Sequence, residues 1–155
     1  MDNDFIIIED PDNPLMASVL MLGDLVRTKK GILWVRSITL GGPILCGESK
    51  DPASWEEFSE NEVRPIEINS TILEQNGFKE ISSERFEIKN GDKELFLQYF
   101  PHRYKMRWKW MIPNNDSNSQ KKQSDNAKYF CVGDISYVHE LQHVLRIVGI
   151  KFHYL

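Results

Sequence analysis

Cysteine and long apolar runs are scarce in this chain of 155 residues. Its 2 cysteines, Cys46 and Cys131, stand far apart and form no C-x-x-C pair, so neither a disulfide framework nor a cysteine-rich zinc site is expected. Each lies in apolar or strand-like surroundings, which predicts packed, reduced thiols and a cytoplasmic location. No run approaches the roughly 20 apolar residues of a membrane span, so no membrane association is expected.

Basic residues are absent from the first 26 positions, where every charge is acidic. A secretion signal needs a basic start and a longer apolar stretch than the run Phe5–Ile8, so none is expected. Residues 1–18, which include Pro11 and Pro14, are predicted to form an acidic extension. The net charge of −4 argues against generic coating of nucleic acid but leaves room for a local basic patch.

The common catalytic loops are missing as well. The chain contains no G-x-x-x-x-G-K-[ST] loop, no G-x-G-x-x-G fingerprint and no G-x-S-x-G elbow. P-loop nucleotide hydrolases, dinucleotide-binding enzymes and α/β-hydrolases are therefore disfavoured. Whether the protein is an enzyme stays open at this point, and a non-catalytic function is favoured.

Short β-prone runs separated by glycine and proline fill residues 19–68. The tight turn Lys29–Gly31 joins two of them, and Gly41-Gly42-Pro43 interrupts the series. Strands of this length and spacing predict a small Src-homology-like β-barrel.

Residues 69–155 predict a helix–antiparallel sheet–helix unit, which makes the fold class α+β. A short helix is expected at 71–76, and Asn90-Gly91 between two β-prone runs is a strong hairpin signal. Residues 104–112 alternate between apolar and basic side chains, as a half-buried strand does. The polar stretch 113–128 is predicted to be a flexible loop, and a second helix is expected at 137–148.

The second predicted helix contains the pattern His-Glu-Leu-Gln-His at residues 139–143. Histidines four residues apart on a helix can share one zinc ion, and Glu140 would then polarise a bound water molecule. His139 and His143 are the two candidate ligands, and His153 is the plausible third donor. A zinc-dependent hydrolase is therefore one alternative function.

Three observations disfavour a zinc site in this helix. The helical wheel places His139 and His143 opposite the apolar stripe, on the solvent side. Arg146 falls on the same face, where a fixed cation opposes a dication. His153 follows too late to match the metzincin spacing. The expectation is a surface helix face and no cofactor.

Two further surfaces are candidate binding sites. Lys105, Arg107 and Lys109 lie on one side of the alternating strand and predict a basic strip for an acidic protein or for nucleic acid. The opposite side of that strand is expected in the core, so a simply solvated face is the competing interpretation. Trp55, in a polar loop, is a candidate surface aromatic for peptide recognition.

The chain resembles a family of small proteins of no assigned activity, encoded by phages and mobile elements of Bacteroidetes. The resemblance covers residues 20–80 and 129–150, through Gly23-Asp24-Leu25-Val26, Asn76-Gly77-Phe78 and the segment 137–143. Members share Val-His-x-Leu-Gln, which implies that His139, Leu141 and Gln142 matter more than a zinc triad requires. The resemblance implies a phage accessory protein in the cytoplasm of a bacterial host.

The sequence favours a non-catalytic binding or adaptor protein that engages a host or virion protein. A zinc-dependent hydrolase and a nucleic-acid-binding accessory factor remain the alternatives.

Overall fold

The computed structural model describes residues 19–102, 105–113 and 129–154. The predicted acidic extension 1–18 and residues 114–128 of the predicted loop lie outside this range. Within it, the fold is α+β and mostly strand, with two antiparallel sheets and two α-helices. The described part of the chain divides into two compact units: the residues up to Glu67 together with Tyr137–His139, and the residues from Ile68 to Ser136 together with those from Glu140 onward.

The first unit contains a four-stranded antiparallel meander in the order β1-β2-β3-β4. The strands are β1 (Leu25–Thr28), β2 (Gly31–Ile38), β3 (Ile44–Gly47) and β4 (Glu56–Phe58). The turn between β1 and β2 needs a positive φ, which Gly31 supplies at 110°. Short 3-10 helices at Pro52–Ser54 and Glu60–Glu62 flank β4.

The core of the first unit is formed by inward side chains of all four strands together with residues before and after them. These are Leu20, Val26, Leu33, Val35, Ile44, Cys46, Phe58 and Val63. After the second 3-10 helix, the chain returns to the first strand, where Arg27 and Arg64 exchange two backbone hydrogen bonds of 2.9 Å.

The second unit contains a five-stranded antiparallel sheet in the order β5-β6-β7-β8-β9. The strands are β5 (Lys79–Ser82), β6 (Arg85–Asn90), β7 (Lys93–His102), β8 (Lys105–Pro113) and β9 (Tyr129–Ile135). The predicted hairpin is confirmed, with Asn90 paired to Lys93 and Gly91 in the turn at φ 65°. Residues 150–154 form no strand.

Two α-helices accompany the second sheet in sequence. Helix α1 (Ser70–Gln75) begins where the Asn69 side chain accepts the Ile72 N–H at 2.9 Å, a normal N-cap. Helix α2 (Val138–Ile147) ends before Gly149, which adopts φ 73°. No helix in the described ranges is long and apolar enough to cross a membrane.

The five-stranded sheet has one apolar face and one polar face. Side chains of four strands on the apolar face are buried, namely Phe86, Ile88, Leu95, Leu97, Trp108 and Ile135. Trp108 packs edge-on against Phe86, with ring centroids 5.6 Å apart. The alternation predicted for β8 is confirmed at these positions, because Trp108 is buried while Lys109 is exposed.

Candidate functional site

The histidine helix differs from its helical-wheel prediction. His139 is only 4% exposed, so its expected position on the solvent side is wrong. Gln142, one turn later, is 3% exposed, and the two polar residues extend the buried apolar stripe around the helix. The helical wheel assumed that polar residues of α2 face solvent. The buried surface of the helix is wider than its apolar stripe and includes His139 and Gln142.

The ring of His139 stacks on that of Tyr137, with centroids 5.9 Å apart and planes 12° apart. The backbone of Tyr137 forms an isolated antiparallel β-bridge with that of Glu67, and the N–H of Val138 donates to the carbonyl of Ile66. The start of the helix is therefore held by backbone bonds to a neighbouring segment.

Glu140, the candidate zinc-hydrolase base, makes a contact with the backbone. Its carboxylate accepts the N–H of Ser136 at 2.7 Å, at the helix N-terminus, where negative charge is favoured. His143 is half-buried, and His153 is exposed with its backbone bonded to the Asn76 side chain at 2.6 and 2.9 Å. In the described ranges, no three His, Cys, Asp or Glu side chains are grouped as metal ligands would be.

The basic strip lies on the polar face of the five-stranded sheet. Arg107 is 30% exposed and its guanidinium lies 3.8 Å from the Asp134 carboxylate on β9. The Lys109 ammonium lies 4.7 Å from the centre of the Phe100 ring on β7. The Lys105 side chain is outside the described residues, and its backbone pairs with His102.

A cluster that was not predicted from the sequence lies on this same face. The centres of the Phe96 and Tyr129 rings are 4.5 Å apart. The Arg85 guanidinium lies 5.3 Å from the centre of the Phe96 ring and 4.9 Å from that of the Tyr129 ring. Phe96 is only 3% exposed although it occupies a row of polar side chains. The guanidinium therefore covers a small aromatic core on the polar side of the sheet.

We call this surface the cation–aromatic face and define it by Arg85, Phe96, Phe100, Arg107, Lys109 and Tyr129. Its members come from four neighbouring strands. Counting pairs outward from the Asn90–Lys93 turn brings Arg85 opposite Gln98, so the hairpin signal could have placed Arg85 near Phe96. The contribution of Tyr129 could not be predicted, because it needs the β8–β9 register.

Carboxylates are interspersed with the cations of this face. Besides the Arg107–Asp134 pair, exposed Lys89 and half-buried Glu94 form a pair at 3.3 Å. The hydrogen bond to Glu94 raises the pKa of Lys89 above its ordinary value. The face is therefore of mixed charge rather than uniformly basic.

Trp55, the candidate surface aromatic, is half-buried and makes internal contacts. Its indole N–H donates to the Ser49 carbonyl at 2.9 Å. The ring packs on Gly47, where a Cβ would lie 2.8 Å from the Trp55 Cδ1. Trp55 thus closes the loop between β3 and β4.

The two thiols differ in exposure. Cys46 is buried, and burial raises its pKa to about 11. Cys131 is exposed, so the expectation that it is packed is wrong. It lies on the last strand of the sheet, where there is less cover than in the interior.

No family model, curated protein or solved structure matches this chain.

Proposed function

We propose that this chain is a non-catalytic binding protein that engages an acidic partner protein through the cation–aromatic face. The observation that carries the proposal is the position of three cations beside two half-buried rings on one sheet face. Phe100 and Tyr129 supply the rings, and Arg85, Arg107 and Lys109 supply the charge. Aromatic residues and arginine are the types enriched where proteins meet.

The mixed charge of the face favours a protein over nucleic acid. Binding to a phosphate backbone gains most from a patch of uniformly basic groups. Here Asp134 already neutralises part of the charge of Arg107, and Lys109 rests on Phe100. A protein partner can match such a pattern with carboxylates opposite Lys109 and apolar groups opposite the rings.

The contacts of Arg85 within the sheet support this use of the face. Arg85 is held against two rings, so little side-chain entropy is lost when it meets a partner. The guanidinium is also planar and suits bidentate contact with a carboxylate. Arg85 is thus a cation that contacts within the fold already hold in place.

For the first unit, we propose the small Src-homology-like barrel expected from the sequence. The return of the chain to β1 at Arg27 and Arg64, directly after a 3-10 helix, supports this architecture. Following the resemblance to phage proteins, we propose a host or virion protein as the partner.

The test compares three versions of the protein in capture from a bacterial host lysate. The face variant carries Arg107→Glu and Lys109→Glu, and the matched control carries Lys50→Glu and Lys151→Glu, both at exposed lysines. We expect one protein to be captured by wild type and control but lost with the face variant. Equal capture by all three versions would contradict the proposal.

A second arm separates the nucleic-acid alternative. Single-stranded oligonucleotides are titrated against the same three versions at physiological salt. We expect negligible binding by all of them. Salt-sensitive binding by wild type that the face variant lacks would favour nucleic acid over a protein partner.

A further inference from the structure

Strand β9 is the last strand of the five-stranded sheet. Among the described residues, β8 is its one hydrogen-bonded neighbour. Edge strands present unpaired N–H and C=O groups, and proteins usually protect them with charged residues or proline. The seven residues of β9 contain a single charged side chain, Asp134, and no proline.

Two large apolar side chains of β9 are exposed. Phe130 is 54% exposed and Val132 is 47% exposed. Cys131, between them, is exposed as well. Within the described part of the chain, these three adjacent uncharged residues stand at a sheet edge, and an uncharged, apolar edge can act as a template for pairing with another strand.

The opposite edge of the same sheet, strand β5, is protected differently. It carries Lys79 and Glu80 in four residues, and its one exposed large apolar side chain is Ile81, at 45%. Charges at an edge disfavour the approach of a second strand. The two edges therefore differ in a way that an experiment can use.

We propose that β9 pairs with β9 of a second copy of this chain, antiparallel and centred on Cys131. In this register, each Phe130 lies opposite the partner's Val132, so apolar side chains meet across the new ladder. A register centred on Val132 would instead bring Phe130 beside the partner's Asp134. The arrangement is self-complementary, as a two-fold interface must be.

Electrostatics suit a second copy as the occupant. The one charge of β9, Asp134, is already paired with Arg107 at 3.8 Å. An incoming strand therefore finds no free charge to match and should itself be nearly uncharged and rich in β-formers. Strand β9 meets that description, and the chosen register sets no like charges opposite each other.

The pairing should be weak. Val132 lies at a bulge. The adjacent β8 residues Met111 and Trp110 pair with Cys131 and Gly133, so Val132 between them has no paired residue on β8. A bulge twists an edge and shortens the stretch that can pair regularly. The contact thus covers only a few residues, less than the roughly 1,200 Å² of a stable interface, and a concentration-dependent dimer is expected.

Sedimentation of the full chain from about 10 μM to about 1 mM covers the range expected for so small an interface. The edge variant is Val132→Lys, and its matched control is Ile81→Lys on the opposite edge. We expect wild type and control to dimerise alike, and the edge variant to raise the dissociation constant by at least about tenfold. Monomeric wild type throughout, or an equal effect of both substitutions, would overturn the proposal.

Oxidation with diamide tests the register on the wild-type chain and does not depend on the folding of a variant. Opposed residues of an antiparallel pair have Cα atoms about 4.5 to 5.5 Å apart, within disulfide reach. We expect a covalent dimer that Cys131→Ser abolishes and Cys46→Ser retains. Failure to cross-link at concentrations where the chain associates, or cross-linking that survives Cys131→Ser, would refute pairing at Cys131.

Discussion

Cys46 and Cys131 differ in burial, and this difference determines which thiol reacts. Burial raises the pKa of Cys46 from 9.0 to about 11, so it stays protonated at pH 8. We expect a thiol reagent to modify one cysteine per native chain at pH 8 and two after denaturation. Modification of two thiols in the native chain would contradict the burial of Cys46.

The same shift has a consequence for stability in alkali. Between pH 9 and 11 the unfolded chain loses the Cys46 proton while the folded chain retains it. The unfolded state then binds fewer protons, so the free energy of unfolding falls as pH rises through this window. Cys46→Ala should flatten that part of the profile.

Gly47 lies where a side chain does not fit. A Cβ at this position would lie 2.8 Å from the Trp55 Cδ1 and 3.4 Å from the Trp55 Cα. We expect Gly47→Ala to lower the free energy of unfolding by about 1–3 kcal/mol, the usual cost of overpacking. Denaturant unfolding measures this cost. In a chain that already carries Trp55→Ala, Gly47→Ala should cost much less unfolding free energy than it does in wild type. Equal costs of Gly47→Ala in the two proteins would rule out the clash with Trp55.

At the scale of one strand, alternation in β8 assigns opposite roles to neighbouring residues. Trp108 is 5% exposed and contacts Phe86 and Tyr99, whereas Lys109 is exposed. We expect Trp108→Ala to cost about 3–5 kcal/mol in unfolding free energy. Lys109→Ala should change it by less than about 1 kcal/mol, since an exposed cation over a ring contributes little. Similar costs would mean that the two faces are assigned wrongly.

At the scale of one helix, Glu140 stabilises the start of α2. Its carboxylate accepts the Ser136 N–H at 2.7 Å near the positive end of the helix dipole. We expect Glu140→Ala to lower the free energy of unfolding by about 1 kcal/mol, and Glu140→Gln by less, because the amide oxygen still accepts. Zinc that binds stoichiometrically and is lost in His143→Ala would favour the hydrolase alternative.

Across the whole molecule, local signals predicted the elements better than their surroundings. The Asn90-Gly91 turn and the alternation around Trp108 depend on neighbouring residues, and both are present in the structure. The burial of His139 and the partnership of Arg85 with Tyr129 depend on chain segments far apart in sequence. No periodicity carries that information, so these features could not be predicted from the sequence.

The candidate site shows the same division. Arg107 and Lys109 were predicted from alternation, and the structure places both on the polar face. Phe96 breaks the alternation, because it stands in a polar row and is nevertheless buried. Its cover comes from Arg85 on β6 and Tyr129 on β9. A rule based on one strand cannot detect such cover.

The most direct test of the binding face is the affinity of the captured partner, measured by calorimetry with purified proteins. We expect Arg107→Glu with Lys109→Glu to weaken binding by at least about tenfold, or about 1.4 kcal/mol. The control with Lys50→Glu and Lys151→Glu should bind within about twofold of wild type, since it changes the net charge equally at other exposed positions. Equal dissociation constants for the two variants would contradict the assignment of this face as the binding site.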